Sequence, residues 1–300
     1  MISVLICSNN ANLLKQVTHN ITETIGSEFE ILHFDNRNER KGLCEVYNKL
    51  ANQAAYPNLC FIHEDILFNT LNWGRKIEQI FKDDDQIGLI GIAGCKYKSK
   101  FYSGWFSGVE ELDCAHYTHQ YKDGVEKVNL SPNGNKLEEV VCIDGVFMCC
   151  TKEAWLRNNF DENLLKGFHF YDIDFSLRIA KNYKVVVTYE VELTHITSGG
   201  DYGNAWVEEA IKYYKKTAAS LPFSKIPVNK KFADERIVIS TLDFLKTYKI
   251  DFNNKINWIV GQRLYLNPRL YYSIFKFLFY RSLGLKFIHN IFRIKWKNQR

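Results

Sequence analysis

The 300-residue sequence predicts an α/β protein: a mostly parallel sheet flanked by helices, followed by a C-terminal helical extension. Three observations predict this class. Short apolar runs alternate with amphipathic stretches through the first hundred residues, which is the signature of βαβ units. Polar clusters stand where each early strand should end. The last forty residues are rich in aromatics and carry Lys and Arg but no Asp or Glu.

The elements follow in order. Residues 2–7 are apolar and β-branched, as a buried strand is, and Ser8-Asn9-Asn10 breaks the run. Residues 12–25 place Leu13, Leu14, Val17, Ile21 and Ile25 at helical spacing, and Gly26 is a helix stop. Residues 29–34 read as a second strand, ended by Asp35-Asn36-Arg37-Asn38. Residues 43–55 are helical, with Leu43, Val46, Tyr47, Leu50 and Ala54 on one face. Residues 59–62 are a third strand with His63-Glu64-Asp65 at its end. Trp73, Ile77, Ile80 and Phe81 mark a third helix, and residues 87–93 a fourth strand.

The region 95–136 has few long apolar runs and reads as loops and short hairpins. Residues 139–150 return to a strand pattern, interrupted by Asp144-Gly145, and a helix starts near Lys152. Tyr171-Asp172-Ile173-Asp174 opens another helix, its acids placed to suit the helix dipole. Residues 184–189 are a strand; His195 and a glycine-bearing loop, 198–203, follow, and residues 206–216 are helical.

Parallel sheets bind ligands at the carboxyl ends of their strands, near a topological switch point. Ser8-Asn9-Asn10, Asp35-Asn36 and His63-Glu64-Asp65 all fall there. A strand-end carboxylate can hold Mg²⁺ or Mn²⁺. It can equally belong to a solvated turn or a helix cap. Asp172 can act as a general base or as a capping acid, and His195 as a metal ligand or an ordinary surface imidazole.

Composition excludes several classes. No segment approaches the ~20 apolar residues that span a bilayer, and the first residues lack the basic start of a signal peptide. None of the eight cysteines forms a C-x-x-C pair, so reduced thiols in a cytoplasmic protein are expected. Nine of the 39 Lys and Arg residues lie between Gly261 and Arg300. The rest of the chain is slightly acidic, against a nucleic-acid binder. The turn after the first strand has neither Gly nor Lys. That disfavours a sugar-phosphate nucleotidyltransferase and a dinucleotide oxidoreductase.

Taken in order, the pieces resemble the GT-A-fold glycosyltransferases, in particular the family-two-like inverting enzymes of bacterial polysaccharide assembly. The strand and turn of residues 2–10, then Ile31-Leu32-His33-Phe34-Asp35-Asn36, are similar to the family's nucleotide-binding start. His63-Glu64-Asp65 resembles its DxD signature, with His63 where an acid is usual. Tyr171-Asp172-Ile173-Asp174 with Arg178 resembles its ED-type acceptor motif, with Tyr171 where an acid is usual. His195 stands where a late metal-ligand histidine is found.

The resemblance implies a Rossmann-like transferase domain over 1–220. Its nucleotide-binding half covers about 1–94 and its acceptor half about 95–220, with the extension over 221–300. It implies an inverting hexosyltransferase that takes a nucleotide-sugar donor, a glycan or lipid-linked acceptor and a divalent metal, Mn²⁺ or Mg²⁺, in surface polysaccharide or lipopolysaccharide assembly. Ser8 and Asn10 would line the nucleotide pocket, Asp35 would contact the base, and Glu64 would sit near the ribose or donor sugar. Asp65 would bind the metal with His195, Asp144 would touch donor sugar or acceptor, and Asp172 would be the base, with Asp174 as the alternative. A non-catalytic nucleotide- or glycan-binding module on the same fold is the rival reading.

The basic aromatic tail suits an interfacial helix on anionic lipid. That would place the protein peripherally on the inner face of the cell membrane. A helical cap packed on the domain is the other reading of the tail.

Overall fold

A computed structural model describes residues 1–197 and 202–280. Strand β1 (Ile2–Ser8) is buried along its whole length. Its side chains alternate between the two faces of the sheet: Leu5 and Cys7 enter one core, while Ile2, Val4 and Ile6 enter the other. Helix α1 (Ala11–Thr24) begins where the Asn10 side chain accepts hydrogen bonds from the amides of Asn12 and Leu13. It turns Val17 and Ile21 inward. Gly26 follows with φ +64°, and a β-carbon there would stand 2.2 Å from Asn72 Oδ1, so the predicted helix stop has to be glycine.

The βα alternation continues as expected through β2 (Phe29–Asp35), α2 (Leu43–Gln53) and β3 (Asn58–Ile62). After β3 the chain crosses to a second sheet as β4 (Ile66–Phe68), so His63-Glu64-Asp65 is the link between two sheets. Helix α3 (Trp73–Asp83) follows. The predicted strand over 87–93 divides into β5 (Ile87–Gly91) and β6 (Ala93–Cys95), again because the chain changes sheet. A short β7 (Tyr97–Lys98) leads through a long loop to the hairpin of β8 (Asp113–Tyr121) and β9 (Gly124–Leu130).

The segment read as strands around Asp144 is three pieces: β10 (Leu137–Val140), β11 (Cys142–Ile143) and β12 (Phe147–Thr151). Next come α4 (Lys152–Asn158), α5 (Tyr171–Ile179), β13 (Lys184–Thr188), β14 (Leu193–Ile196), α6 (Asn204–Thr217) and a two-residue β15 (Phe223–Ser224).

The main sheet has the order β10-β13-β5-β12-β3-β1-β2. Strands β2, β1, β3, β5 and β13 run one way, and only β12 and β10 are reversed. The sheet is thus mostly parallel, with its two reversed strands contributed by residues 137–151. The second sheet, β11-β6-β8-β14-β4 with β9 beside β8, was not foreseen.

The C-terminal residues add α7 (Lys230–Leu245), α8 (Phe252–Gly261) and α9 (Tyr271–Phe279). Their Leu242, Trp258 and Phe277 belong to the same core as Trp206 and Tyr214 of α6. Trp206 and Trp258 stack with ring centroids 5.7 Å apart. The C-terminal helices therefore pack on the sheet domain through residue 280. The basic residues from Arg281 onward, and most of the glycine loop expected at 198–203, lie outside the described residues. Among the described residues, no helix is long and apolar enough to cross a membrane. All eight cysteines are buried free thiols.

Candidate active site

Glu64 organises the polar turn after β1, a cluster outside the lining of the main cleft. Its carboxylate accepts from Ser8 Oγ at 2.5 Å and from the backbone amides of Asn9 at 2.9 Å and Asn10 at 3.1 Å. The polar turn after β1 is thereby folded around Glu64. The expected direct contact of Glu64 with a donor competes with three hydrogen bonds already made. Asn10 is also committed, as the cap of α1. Parallel pairing puts Ser8 beside Asp35 at the ends of β1 and β2. Asp35 is exposed and forked by Arg37, with contacts of 2.9 and 2.6 Å. That hydrogen bonding holds its carboxyl down to about 2. Asn36 is fully buried and bonds the backbone of Lys41, so it shapes the loop rather than offering its amide to a ligand.

A second cluster forms where the two sheets meet. Antiparallel pairing of β14 with β4 sets His195 opposite Ile66, next to Asp65. His195 Nε2 lies 3.2 Å from Asp65 Oδ2, and His63 Nδ1 lies 3.9 Å from Asp65 Oδ1. One ligand atom from each of His63, Asp65 and His195 lies within 4.8 Å of the others. Burial opposes the Asp65 charge, but the His195 hydrogen bond and both imidazoles outweigh it and hold the carboxyl below its ordinary value. For His195, burial pushes down and the bond to Asp65 prevails, so its value is raised.

These residues fit a divalent cation. Asp65 Oδ1 is buried and has no hydrogen-bond partner, an unmet acceptor 3.9 Å from His63 Nδ1. His63 is oriented from behind. Its Nε2 is 2.8 Å from Tyr171 Oη, and that hydroxyl donates to Gly145 O at 3.3 Å. The network therefore puts the proton on His63 Nε2 and turns the Nδ1 lone pair toward Asp65. Two imidazoles and a carboxylate suit a first-row ion such as Mn²⁺ better than Mg²⁺, which prefers oxygen. His63, where an acid is usual, is thus a full member of the cluster. Tyr171, the other departure, is the residue that positions it.

Asp172 sits across the cleft. Gly145 N donates to its Oδ2 at 3.0 Å and Ile173 N to its Oδ1 at 2.9 Å. Burial, aided by the nearby Asp144 charge, pushes its carboxyl up to about 7. Phe170, just before α5, has φ +63°, an unfavourable conformation for a bulky residue. Its ring is held against Trp206 and Tyr213. This buried, strained cap sets the direction in which α5 begins, and with it the position of Asp172. Asp174 lies elsewhere, paired with Arg178 at 2.8 Å in a separate cavity, so Asp172 is the acid of this motif that faces the cleft.

The cleft holds about 430 Å³ and brings His63, Asp144, Asp172 and His195 together. Its other wall is aromatic: Trp105, Phe106, Phe168, Phe170, Tyr202 and Trp206. Sequence reasoning missed three contributors. They are the loop carrying Trp105 and Phe106, helix α7 with Ser240, Thr241 and Phe244, and His119 of β8. A signal for β8 was present, since Tyr117, His119 and Tyr121 alternate at period two before the turn Lys122-Asp123-Gly124.

A family profile described as "Glycosyltransferase like family" matches residues 3–218. Among solved structures, S. aureus TarS 1–349 superposes with a TM-score of 0.54 at 12% identity, covering 94% of this chain and 91% of its own. The same protein in complex with UDP-GlcNAc gives the same values. GalNAc-T7 with UDP, GalNAc and Mn²⁺ superposes with a TM-score of 0.50 at 13% identity, covering 79% of this chain and 54% of its own. The present chain thus spans about half the length of GalNAc-T7. At these identities the likeness is one of fold. No curated protein sequence matches.

Proposed function

The chain belongs to the glycosyltransferase-like family and has the GT-A-type fold, and from that premise we propose an inverting, divalent-metal-dependent transfer of a sugar from a nucleotide-sugar donor to a glycan or lipid-linked acceptor. One observation carries the proposal. A carboxyl raised to about 7, Asp172, shares a 430 Å³ cleft with His63 and His195 of the His63–Asp65–His195 cluster. The pairing supplies a base near its working pH on one side and a cation site on the other. The UDP-GlcNAc held by TarS and the UDP and Mn²⁺ held by GalNAc-T7 support this choice of donor and ion.

In this reading Asp172 takes the proton of the acceptor hydroxyl. The freed oxygen bonds to the anomeric carbon on the face opposite the departing nucleoside diphosphate, so the configuration inverts. A bound cation would be held by His63, Asp65 and His195 and would neutralise charge on the leaving diphosphate. Ser8, Asn10 and Asp35 border the nucleotide end, with Glu64 holding their turn in shape. Asp144 lines the same cleft, close enough to raise Asp172, and in this reading contacts the donor sugar or acceptor. The aromatic wall offers flat, apolar faces of the kind on which a pyranose or a lipid-linked saccharide stacks.

We assign residues 1–220 to the transferase and 221–300 to an appended helical part that completes the cleft through α7. That part also carries the basic stretch, which with the exposed Phe252, Ile256 and Val260 on one stripe of α8 supports peripheral binding to an anionic membrane on its cytoplasmic face. Co-sedimentation with vesicles of anionic lipid tests this, and equal binding by a chain ending at residue 280 would count against it. A role in surface polysaccharide or lipopolysaccharide assembly goes with a lipid-linked acceptor.

The deciding experiment is a thermal-shift screen of nucleotide-sugars with and without Mn²⁺, followed by nucleotide release from any binder. Mn²⁺-dependent stabilisation and slow release without acceptor are expected. Binding without release, with every acceptor tried, would favour a non-catalytic module. No Mn²⁺-dependent stabilisation by any donor would refute the reading.

A further inference from the structure

Beyond the cation cluster, the second sheet presents one more imidazole to the cleft. Parallel pairing of β14 with β8 sets His195 level with His119, and their ring centroids are 5.3 Å apart. His119 and His195 thus stand level on adjacent strands, and Asp65, in the link just before β4, meets His195 through its side chain. The His119 ring is fixed in place. Tyr117 packs against it edge-on at 4.8 Å, and Tyr121 lies at 5.3 Å on the other side. Its Nδ1 is buried and makes no hydrogen bond, although the ring lines the cleft. A fixed ring in the cleft wall, its Nδ1 sealed and left unpaired, presents its remaining edge to a ligand group that arrives from the cleft.

We propose that His119 binds the donor's diphosphate, donating a ring N–H to a non-bridging phosphate oxygen. The inference rests on the nucleotide-sugar reading above. His119 stands one strand beyond the set of ligand atoms that lie within 4.8 Å of each other, so it flanks the cation rather than completing its protein ligands. An ion held by two imidazoles and a carboxylate fills its remaining positions with oxygens from the ligand. Those oxygens are brought to the cleft side of His195, where His119 lies. The nucleoside end belongs on the opposite flank, at Ser8 and Asp35 on β1 and β2. A hydrogen bond aimed at the leaving diphosphate also strengthens as its charge grows, which favours departure.

The test uses the full chain with His119→Ala and His119→Gln. Calorimetry would follow Mn²⁺ alone, then UDP and GDP each at saturating Mn²⁺, then the nucleoside monophosphates. The expected result for His119→Ala is unchanged Mn²⁺ affinity and a tenfold to hundredfold weaker nucleoside diphosphate, the range for one hydrogen bond to a charged group. Monophosphate binding should fall less. His119→Gln, which keeps an N–H donor, should recover most of the loss, a rescue that a purely packing role would not give.

Equal diphosphate affinity in wild type and His119→Ala overturns the proposal. So does a drop in affinity for Mn²⁺ alone, which would make His119 a metal ligand, or an unchanged diphosphate with a raised acceptor KM. If the wild-type chain binds neither UDP nor GDP with Mn²⁺, the donor reading itself fails and takes this inference with it.

Discussion

Replacing Asp172 with Asn should abolish transfer and, at alkaline pH, make the protein more stable. The reasoning starts from burial. An unfolded Asp titrates near ~4, whereas Asp172 in the folded chain titrates at about 7. The folded state therefore binds the extra proton between those values. Stability from this group is fully present below pH ~4 and falls as pH rises through about 7. The gap corresponds to ~4 kcal/mol above pH 7, of which water in the open cleft relaxes about half, leaving about 2 kcal/mol. Asn cannot ionise and escapes this cost. It keeps one acceptor oxygen for the amides of Gly145 and Ile173 and loses the other, at about 1 kcal/mol.

The net expectation is about 1 kcal/mol of stabilisation at pH 8, giving way to about 0.3 kcal/mol of destabilisation at pH 5, where part of the burial cost is still present. In a chain of this size that is a melting shift of about +1 to +2 °C at pH 8 and a slight lowering at pH 5. Scanning fluorimetry of both proteins across pH 5–8.5, without metal, measures the crossover. Transfer should drop by at least ~10²-fold while donor binding stays. A melting difference that does not change with pH would refute the burial argument, and retained transfer would remove Asp172 as the base.

Four further outcomes follow from the same geometry. His195→Ala should weaken Mn²⁺ binding by at least ~10- to 100-fold in calorimetry, since even outer partners of metal ligands carry that much. Tyr171→Phe removes the hydroxyl that orients His63, so Mn²⁺ affinity should fall about tenfold with little loss of melting temperature; unchanged affinity would dismiss the orienting role. In wild type, kcat/KM should rise with pH through about 7 as Asp172 loses its proton, and Asp144→Asn should move that limb to lower pH by removing the neighbouring negative charge. Glu64→Gln keeps an acceptor for Ser8 or Asn9 and should cost less nucleotide affinity than Glu64→Ala, which frees the whole turn; equal losses would point to direct ligand contact by Glu64.

The first half of the fold was legible because each early element buries one clean face. Leu5 against Val4 and Ile6 alternates at period two, and Val17 and Ile21 recur at helical period, so strand and helix each declare themselves within a few residues. Strand β8 did not, since it has a partner on each side within the small second sheet and mixes Cys, His, Tyr and Thr. Residues 87–93 and 139–150 were legible as extended but not as divided. The breaks at Ile92 and Asp144-Gly145 come from the chain changing sheets, and pairing between distant strands is a tertiary fact that local pattern does not encode.

The site follows the same division. Asp65, Asp172 and His195 could be named because each stands at an element's end beside a change of pattern. How they meet depends on register. A shift of β14 by one residue against β4 would turn His195 to the opposite face and dissolve the cluster. A side-chain hydrogen bond couples the two departures from the expected motifs. His63 needs a partner on Nε2 to direct Nδ1 at Asp65, and Tyr171 Oη supplies it at 2.8 Å, where a carboxylate at position 171 would instead favour a charged imidazolium. A histidine at 63 and a tyrosine at 171 together keep a neutral, correctly aimed ligand. Each substitution alone reads as damage to a motif, while under the proposed function the pair reads as a different way to hold a divalent ion.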